Sequence, residues 1–177
     1  MRQHQRDAEF EAYVAAARPR LRRLAYSLCG DWHTADDVVQ TALAKLYVVW
    51  PRVSRASNQD AYVRRTVART TVDESRRPWQ RERSGLDGHD QPYTDADVPA
   101  RRDVVAALQQ LPEMQRKTVV LRHWLGLSVA ETAFDLGISE GTVKSHTSRA
   151  LATLHALLSD VMTDVMTDVM TDKEHRP

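Results

Sequence analysis

Residues Ser128 to Leu154 read SVAETAFDLGISEGTVKSHTSRALATL, and this stretch decides the fold. Ser128 with Glu131 three residues later is a capping-box pattern that opens a helix. Gly137 stops it, because a residue without Cβ can take the left-handed conformation that ends a helix. Ser139 caps a second helix, whose inner positions are Val143, Thr147, Ala150, Leu151, Leu154 and Leu158. Small Ala133 lets the two helices approach, and Val143 fills the space between them. A short helix, a tight turn over Gly137-Ile138-Ser139 and a second helix form a helix-turn-helix, in which the first helix braces and the second enters a major groove. Glu140, Thr142, Lys144, Ser145, Ser148 and Arg149 fall on the outward, N-terminal part of that second helix, where base edges and phosphates are reached.

Upstream of this pair, Val104, Val105, Leu108 and Leu111 run at helical spacing to Pro112, and Met114, Val120, Leu121 and Trp124 resume it up to Gly126. Between Pro78 and Ala100 the periodicity disappears. Gly85, Gly88, Pro92, Pro99 and five acids (Glu82, Asp87, Asp90, Asp95 and Asp97) mark a flexible acidic linker there. The block before it reads as three helices. Phe10, Tyr13, Val14, Ala17, Leu21, Leu24, Ala25 and Leu28 make one stripe that Pro19 is expected to kink or split. Thr34 with Asp37 opens the next helix, which buries Val39, Leu43, Leu46, Tyr47 and Trp50 and ends at Pro51. After a polar loop to Asn58, a third helix from about Gln59 to Arg77 turns Val63, Val67 and Thr70 inward and several arginines outward.

The expected architecture is therefore all-α, with two small helical domains joined by the linker and the helix-turn-helix in the second. Its divisions are 1–78, 79–100 and 101–159, with a tail at 160–177. The tail repeats Val-Met-Thr-Asp three times, and acids in the last turns of a helix oppose its dipole, so a frayed or disordered extension is expected.

At 177 residues, 42% hydrophobic and 28% charged, the chain is too short for a large catalytic barrel and too apolar for a disordered one. Its single cysteine, Cys29, cannot form an internal disulfide, which fits a reducing cytoplasm. The sequence contains no apolar run of spanning length and, at its start, no signal-peptide core. The formal charge of +1 hides an asymmetry. Residues 1–77 carry 14 Lys and Arg against 9 Asp and Glu, 78–100 carry 2 against 5, 101–159 carry 7 against 5, and 160–177 carry 2 against 5. Two basic blocks around an acidic connector point to two modules that each meet a polyanion. Neither His146 with His155 nor His33 with Cys29 has a metal-ligand constellation around it. No phosphate loop, nucleophile elbow or metal motif supports an enzyme or a cofactor.

The helix pair resembles both the fourth domain of bacterial sigma factors and the DNA-binding module of LuxR-type regulators. The rest of the chain discriminates. DWHTADDVVQTALAKLYVVW followed by AYVRRTVARTTVDESRR is similar to the second domain of extracytoplasmic-function sigma factors, and LPEMQRKTVVLRHWLGLSVAETAFDLGISEGTVKS continues the likeness to the fourth. The resemblance implies an alternative sigma factor that docks on RNA polymerase core and directs promoter recognition, DNA melting and transcription initiation. The alternative is a free-standing LuxR-like regulator whose first block dimerises or senses.

By position, Asp36, Asp37 and Gln40 resemble the exposed start of the helix that grips the polymerase clamp, although Thr41 stands where the family often has glutamate. Arg55, Ser57 and Asn58 lie where the family places its base-specificity loop. Arg65, Arg69 and Arg76 share a broad helix face suited to the backbone of a melted -10 element, while the helix-turn-helix would read the -35 element. The implied partners are RNA polymerase core and promoter DNA. An anti-sigma protein is a further partner that the family admits, and nothing calls for a membrane.

Overall fold

The computed structural model describes the backbone of residues 2–76 and 99–174, and the side chains of residues 3–76 and 103–159. Its helices, in chain order, are α1 (Arg2–Cys29), α2 (Trp32–Val53), α3 (Gln59–Ser75), α4 (Pro99–Gln109), α5 (Glu113–Val119), α6 (Val129–Leu136) and α7 (Glu140–Glu174). A π-helical stretch, Val120–Trp124, continues α5. The all-α expectation holds, and no strand occurs among the described residues. Arg77 and the five linker acids lie outside the described residues. No helix among those described is long and apolar enough to cross a membrane.

Helices α1, α2 and α3 pack around Leu21, Leu24, Leu28, Leu46, Val63 and Val67, each at most 2% exposed. Burying a side chain of this size contributes roughly 1.5–3 kcal/mol, so these six outweigh any single polar contact and fix the frame. Aromatic rings lock the N-terminal part of α1 to the end of α2: Phe10 meets Trp50 edge-on at 5.0 Å and Tyr47 at 5.3 Å. The second half buries Leu108, Leu111, Val119, Val120 and Leu121, and these join the first half in one continuous apolar cluster.

Polar groups of the second half also complete α1. The last four carbonyls of a helix have no partner within it. Two of those in α1 are met from across the seam, where Gln109 Nε2 donates to the Tyr26 carbonyl at 3.1 Å and Arg116 Nε to that of Leu28 at 3.3 Å. Gly30 ends the helix at φ +79°, and a Cβ there would lie 2.7 Å from Gln109 Oε1. Position 30 thus needs glycine for its backbone and for the space beside it.

Several boundaries differ from the sequence reading. α1 runs unbroken through Pro19. The carbonyl that loses its donor belongs to Ala15, an exposed residue, so water can replace the missing N–H. α2 begins at Trp32, with Asp31 rather than Thr34 as its cap, and Asp31 Oδ2 accepts from the Thr34 backbone N–H at 2.6 Å. A carboxylate is a stronger acceptor there than a hydroxyl. Trp32 also stacks on Tyr26 at 3.8 Å, with the Arg22 guanidinium 4.4 Å from its ring, which holds the earlier start. α2 continues past Pro51 to Val53. Leu151, expected inside, is 42% exposed. Beyond Ser159 the backbone of α7 stays helical to Glu174, where the repeat was expected to fray. Elongating an existing helix adds a hydrogen bond per residue fixed without a new nucleation step.

Candidate nucleic-acid interface

The helix-turn-helix is built by short-range hydrogen bonds. Ser128 backbone N–H donates to Glu131 Oε2 at 2.9 Å, and Glu131 backbone N–H donates to Ser128 Oγ at 3.1 Å, completing the capping box at the start of α6. At its end Gly137 takes φ +65°, and the Ile138 N–H reaches back to the Ala133 carbonyl at 3.1 Å. That bond and the one from Gly137 N–H to Phe134 O form a Schellman stop. Ser139 Oγ then accepts from the Thr142 N–H at 3.1 Å and starts α7. Val143 is fully buried between the helices, and Ala133 is buried with it. Glu140, Lys144, Ser145, Ser148 and Arg149 are exposed on α7, whereas Thr142 is half-buried with its hydroxyl on Ser139.

The first half carries the other cationic face. Of the α2–α3 loop, Arg55, Ser57 and Asn58 are exposed, and Asn58 also caps α3 by accepting from the Ala61 N–H at 3.2 Å. Arg65 and Arg69 do not project into solvent alone. Arg65 Nη2 lies 2.8 Å from Glu131 Oε1, and Arg69 meets the Asp135 carboxylate through Nη2 at 3.0 Å and Nε at 3.1 Å. Arg76 Nη2 donates to the Asp135 carbonyl at 2.9 Å, in the last turn of α6 where the helix dipole is negative. The face that the sequence groups by helical spacing is thus brought together, with all three guanidinium groups on α6.

The electrostatics follow from this contact. Hydrogen bonds from the Ser128 backbone and hydroxyl, and then Arg65, pull the Glu131 carboxyl down to about 2. The bond to Asp135 raises Arg69 above its ordinary value. Each oxygen of Glu131 has its own task, since Oε2 serves the helix cap and Oε1 the arginine. Nearby, buried Lys117 donates to Ser75 Oγ at 2.8 Å and pairs with Glu113.

On α2 the three acidic and amide positions separate. Asp36 is half-buried and held by Arg22 Nε at 2.7 Å, while Asp37 and Gln40 are exposed. Thr41, Ala44 and Val48 continue the exposed row, and Val48 is 75% exposed. Sequence reasoning missed Val48, although it breaks phase with the inward stripe four residues after Ala44. It also read Glu131 only as a cap and passed over Asp135, one turn further along the same helix.

Residues 13–81 match the family model for sigma-70 region 2, and residues 101–154 that for sigma-70 region 4. The chain is 38% identical over 158 residues to the RNA polymerase sigma-E factor of Streptomyces coelicolor, covering 82% of this chain and 84% of that one. It is 33% identical over 151 residues to the ECF RNA polymerase sigma factor EcfG of Rhodopseudomonas palustris, covering 82% of each. Among solved structures, the sigma factor RpoE from Bartonella quintana, in complex with the anti-sigma factor NepR, superposes with a TM-score of 0.57 at 26% identity. That likeness covers 85% of this chain and 97% of the other. The region 2 match across the first block leaves the LuxR-like alternative without support. The chain belongs to the extracytoplasmic-function sigma factors of the sigma-70 family, which bind RNA polymerase core and direct it to promoters to start transcription.

Proposed function

We propose a division of labour between the two halves. Residues 1–78 engage polymerase through Asp37 and Gln40, with Asp36 set behind them, and take the melted -10 strand on Arg65, Arg69 and Arg76 beside the Arg55, Ser57 and Asn58 loop. Residues 101–159 read the -35 duplex with Glu140, Thr142, Lys144, Ser145, Ser148 and Arg149. Residues 79–100 connect the two and 160–177 form the tail. The observation that carries the reading is the convergence of three guanidinium groups, from α3 and its C-cap Arg76, on acceptors of α6, two of them carboxylates and the third a backbone carbonyl. An anion-binding row beside a polar loop is what a single-strand backbone requires.

The mechanism is recognition and strand opening, with no covalent step. Polymerase contacts and captured bases offset an unstacking cost of a few kcal/mol. The work is done in the cytoplasm, where the polymerase is. The NepR complex of the Bartonella quintana neighbour supports an anti-sigma partner for this chain as well.

The test compares two substitutions in reconstituted holoenzyme. R65A/R69A should still bind core but lose permanganate-reactive thymines at the -10 region by about tenfold. Asp37→Lys should weaken core binding more than Asp37→Ala, because charge reversal adds repulsion to the lost attraction. Normal opening by R65A/R69A would overturn the α3 assignment, and normal core binding by Asp37→Lys the α2 one.

A further inference from the structure

Tyr13, on α1, touches both feet of the α2–α3 loop. Its ring packs against Trp50, in the last turn of α2, with centroids 5.0 Å apart. Its hydroxyl donates to Asp60 Oδ1, in the first turn of α3, at 2.8 Å. Trp50 is 2% exposed and its Nε1 has no hydrogen-bond partner, so ring packing against Phe10 and Tyr13 takes the place of a polar anchor. Asp60 also accepts from Arg20 Nη2 at 2.7 Å, but that pair is close to half exposed on both sides, and a solvated pair of this kind holds little. The Tyr13 hydroxyl is the more sheltered donor. Burial, and then Asp60, push its phenol up to about 12, so it stays a donor at neutral pH.

Between the feet the loop folds back on α2. The Ser54 N–H donates to the Trp50 carbonyl at 2.8 Å, and the Ala56 N–H to that of Val53 at 3.0 Å. Val53 is buried, and Asn58 Oδ1 is taken up by the Ala61 N–H. Arg55, Ser57 and Asn58 are thus exposed between two feet that α1 ties together. Groups on a loop are placed less exactly than those on helices, and a site that reads a ligand needs them within about 0.5 Å.

We infer that Tyr13 is a positioning residue for base capture: by tying Trp50 to Asp60 it fixes the span of the loop that carries Arg55, Ser57 and Asn58, and so sets how sharply that loop tells one unstacked base from another. The inference rests on the reading of this loop as a base-contacting element and adds what holds it in register. A flipped base is told from the others by hydrogen bonds to its Watson–Crick edge, and these weaken steeply with misalignment. Backbone charge contacts are more tolerant. Losing the brace therefore costs discrimination before it costs binding.

The experiment uses the full chain in holoenzyme and a fork-junction DNA whose single-stranded -10 segment carries random bases. Sequencing the retained strands gives an enrichment for each base at each position. Tyr13→Phe keeps the ring on Trp50 and deletes the bond to Asp60. It should lower the largest enrichment by about fivefold, while total retention and core binding stay within about twofold of the parent. Asp60→Asn keeps an acceptor oxygen for the Tyr13 hydroxyl and should retain most of the enrichment, whereas Asp60→Ala should lose as much as Tyr13→Phe. Y13F/D60A should lose no more than Asp60→Ala alone, because both substitutions remove one link.

Unchanged enrichment in Tyr13→Phe would overturn the inference. So would a fall in total retention with the enrichment preserved, which marks a residue that only supports the fold, or a loss in Asp60→Asn equal to that in Asp60→Ala. R55A/S57A separates this failure from that of the loop. If R55A/S57A flattens the enrichment and Tyr13→Phe does not, the loop reading stands and the brace falls. If R55A/S57A leaves the enrichment intact, the loop reading falls and the brace with it.

Discussion

The arginine row at α3 and the N-terminal part of α7 are both cationic faces, yet they are partnered in different ways. Arg65, Arg69 and Arg76 all end on α6, with Arg69 and Arg76 still exposed along their length, while Lys144 and Arg149 lie exposed on α7. The difference matches what each face would read. A duplex reader that gains its specificity from base edges in a groove loses little by standing open, because its nonspecific affinity is modest with few fixed charges. A single-strand reader lacks that filter. The ion-paired face is the one whose binding would be indiscriminate.

The comparison breaks most readily at α7. Lys144→Ala with Arg149→Ala should weaken binding of the free chain to -35 duplex by about tenfold, and flatten the salt dependence by about one unit for each phosphate that is no longer neutralised. Single-strand binding should not change, since α6 and α3 are untouched. Unaltered promoter footprints in the double variant would remove α7 as the reader.

A smaller effect sharpens the comparison from the other side. Glu131 titrates at about 2 rather than at its ordinary 4.5. A carboxyl depressed in the folded state stabilises above its ordinary value, and that contribution is lost as pH falls from 4.5 through about 2. Thermal stability should therefore decline over this window through the loss of the Glu131 cap and its pair with Arg65. In Glu131→Gln the decline should be shallower, and a profile identical to the parent's would mean that Glu131 carries no coupling. Above about pH 5 the two proteins should show parallel profiles, because the group is already ionised.

What the sequence made legible was local. The capping box at Ser128, the stop at Gly137, the cap at Ser139 and plug at Val143 all depend on residues within a few positions of one another, and each is in place. The α3 face was legible as a helical spacing, but its occupant was not. Arg65 and Arg69 each lie 66 residues from their partners, and no periodicity links α3 to α6 across that separation. Boundaries went astray where tertiary contacts outbid local rules: Trp32 stacking on Tyr26 moved the start of α2, and solvent at Ala15 let α1 pass Pro19. Leu151 shows the converse, an apolar residue in the right phase that the fold leaves largely exposed.

The most direct measurement is the distance between the halves in the free and the polymerase-bound chain. Dyes on cysteines introduced at Ala16 of α1 and Ala152 of α7, both exposed, would report it by energy transfer. Native Cys29 should stay unlabelled at neutral pH, because burial pushes its thiol up to about 11. A high-transfer state should dominate in the free chain, shift partly to low transfer in E131Q/D135N, and give way to low transfer on core polymerase. The same transfer in the free chain and in holoenzyme would contradict halves that pack through the α3–α6 ion pairs before docking and separate with it.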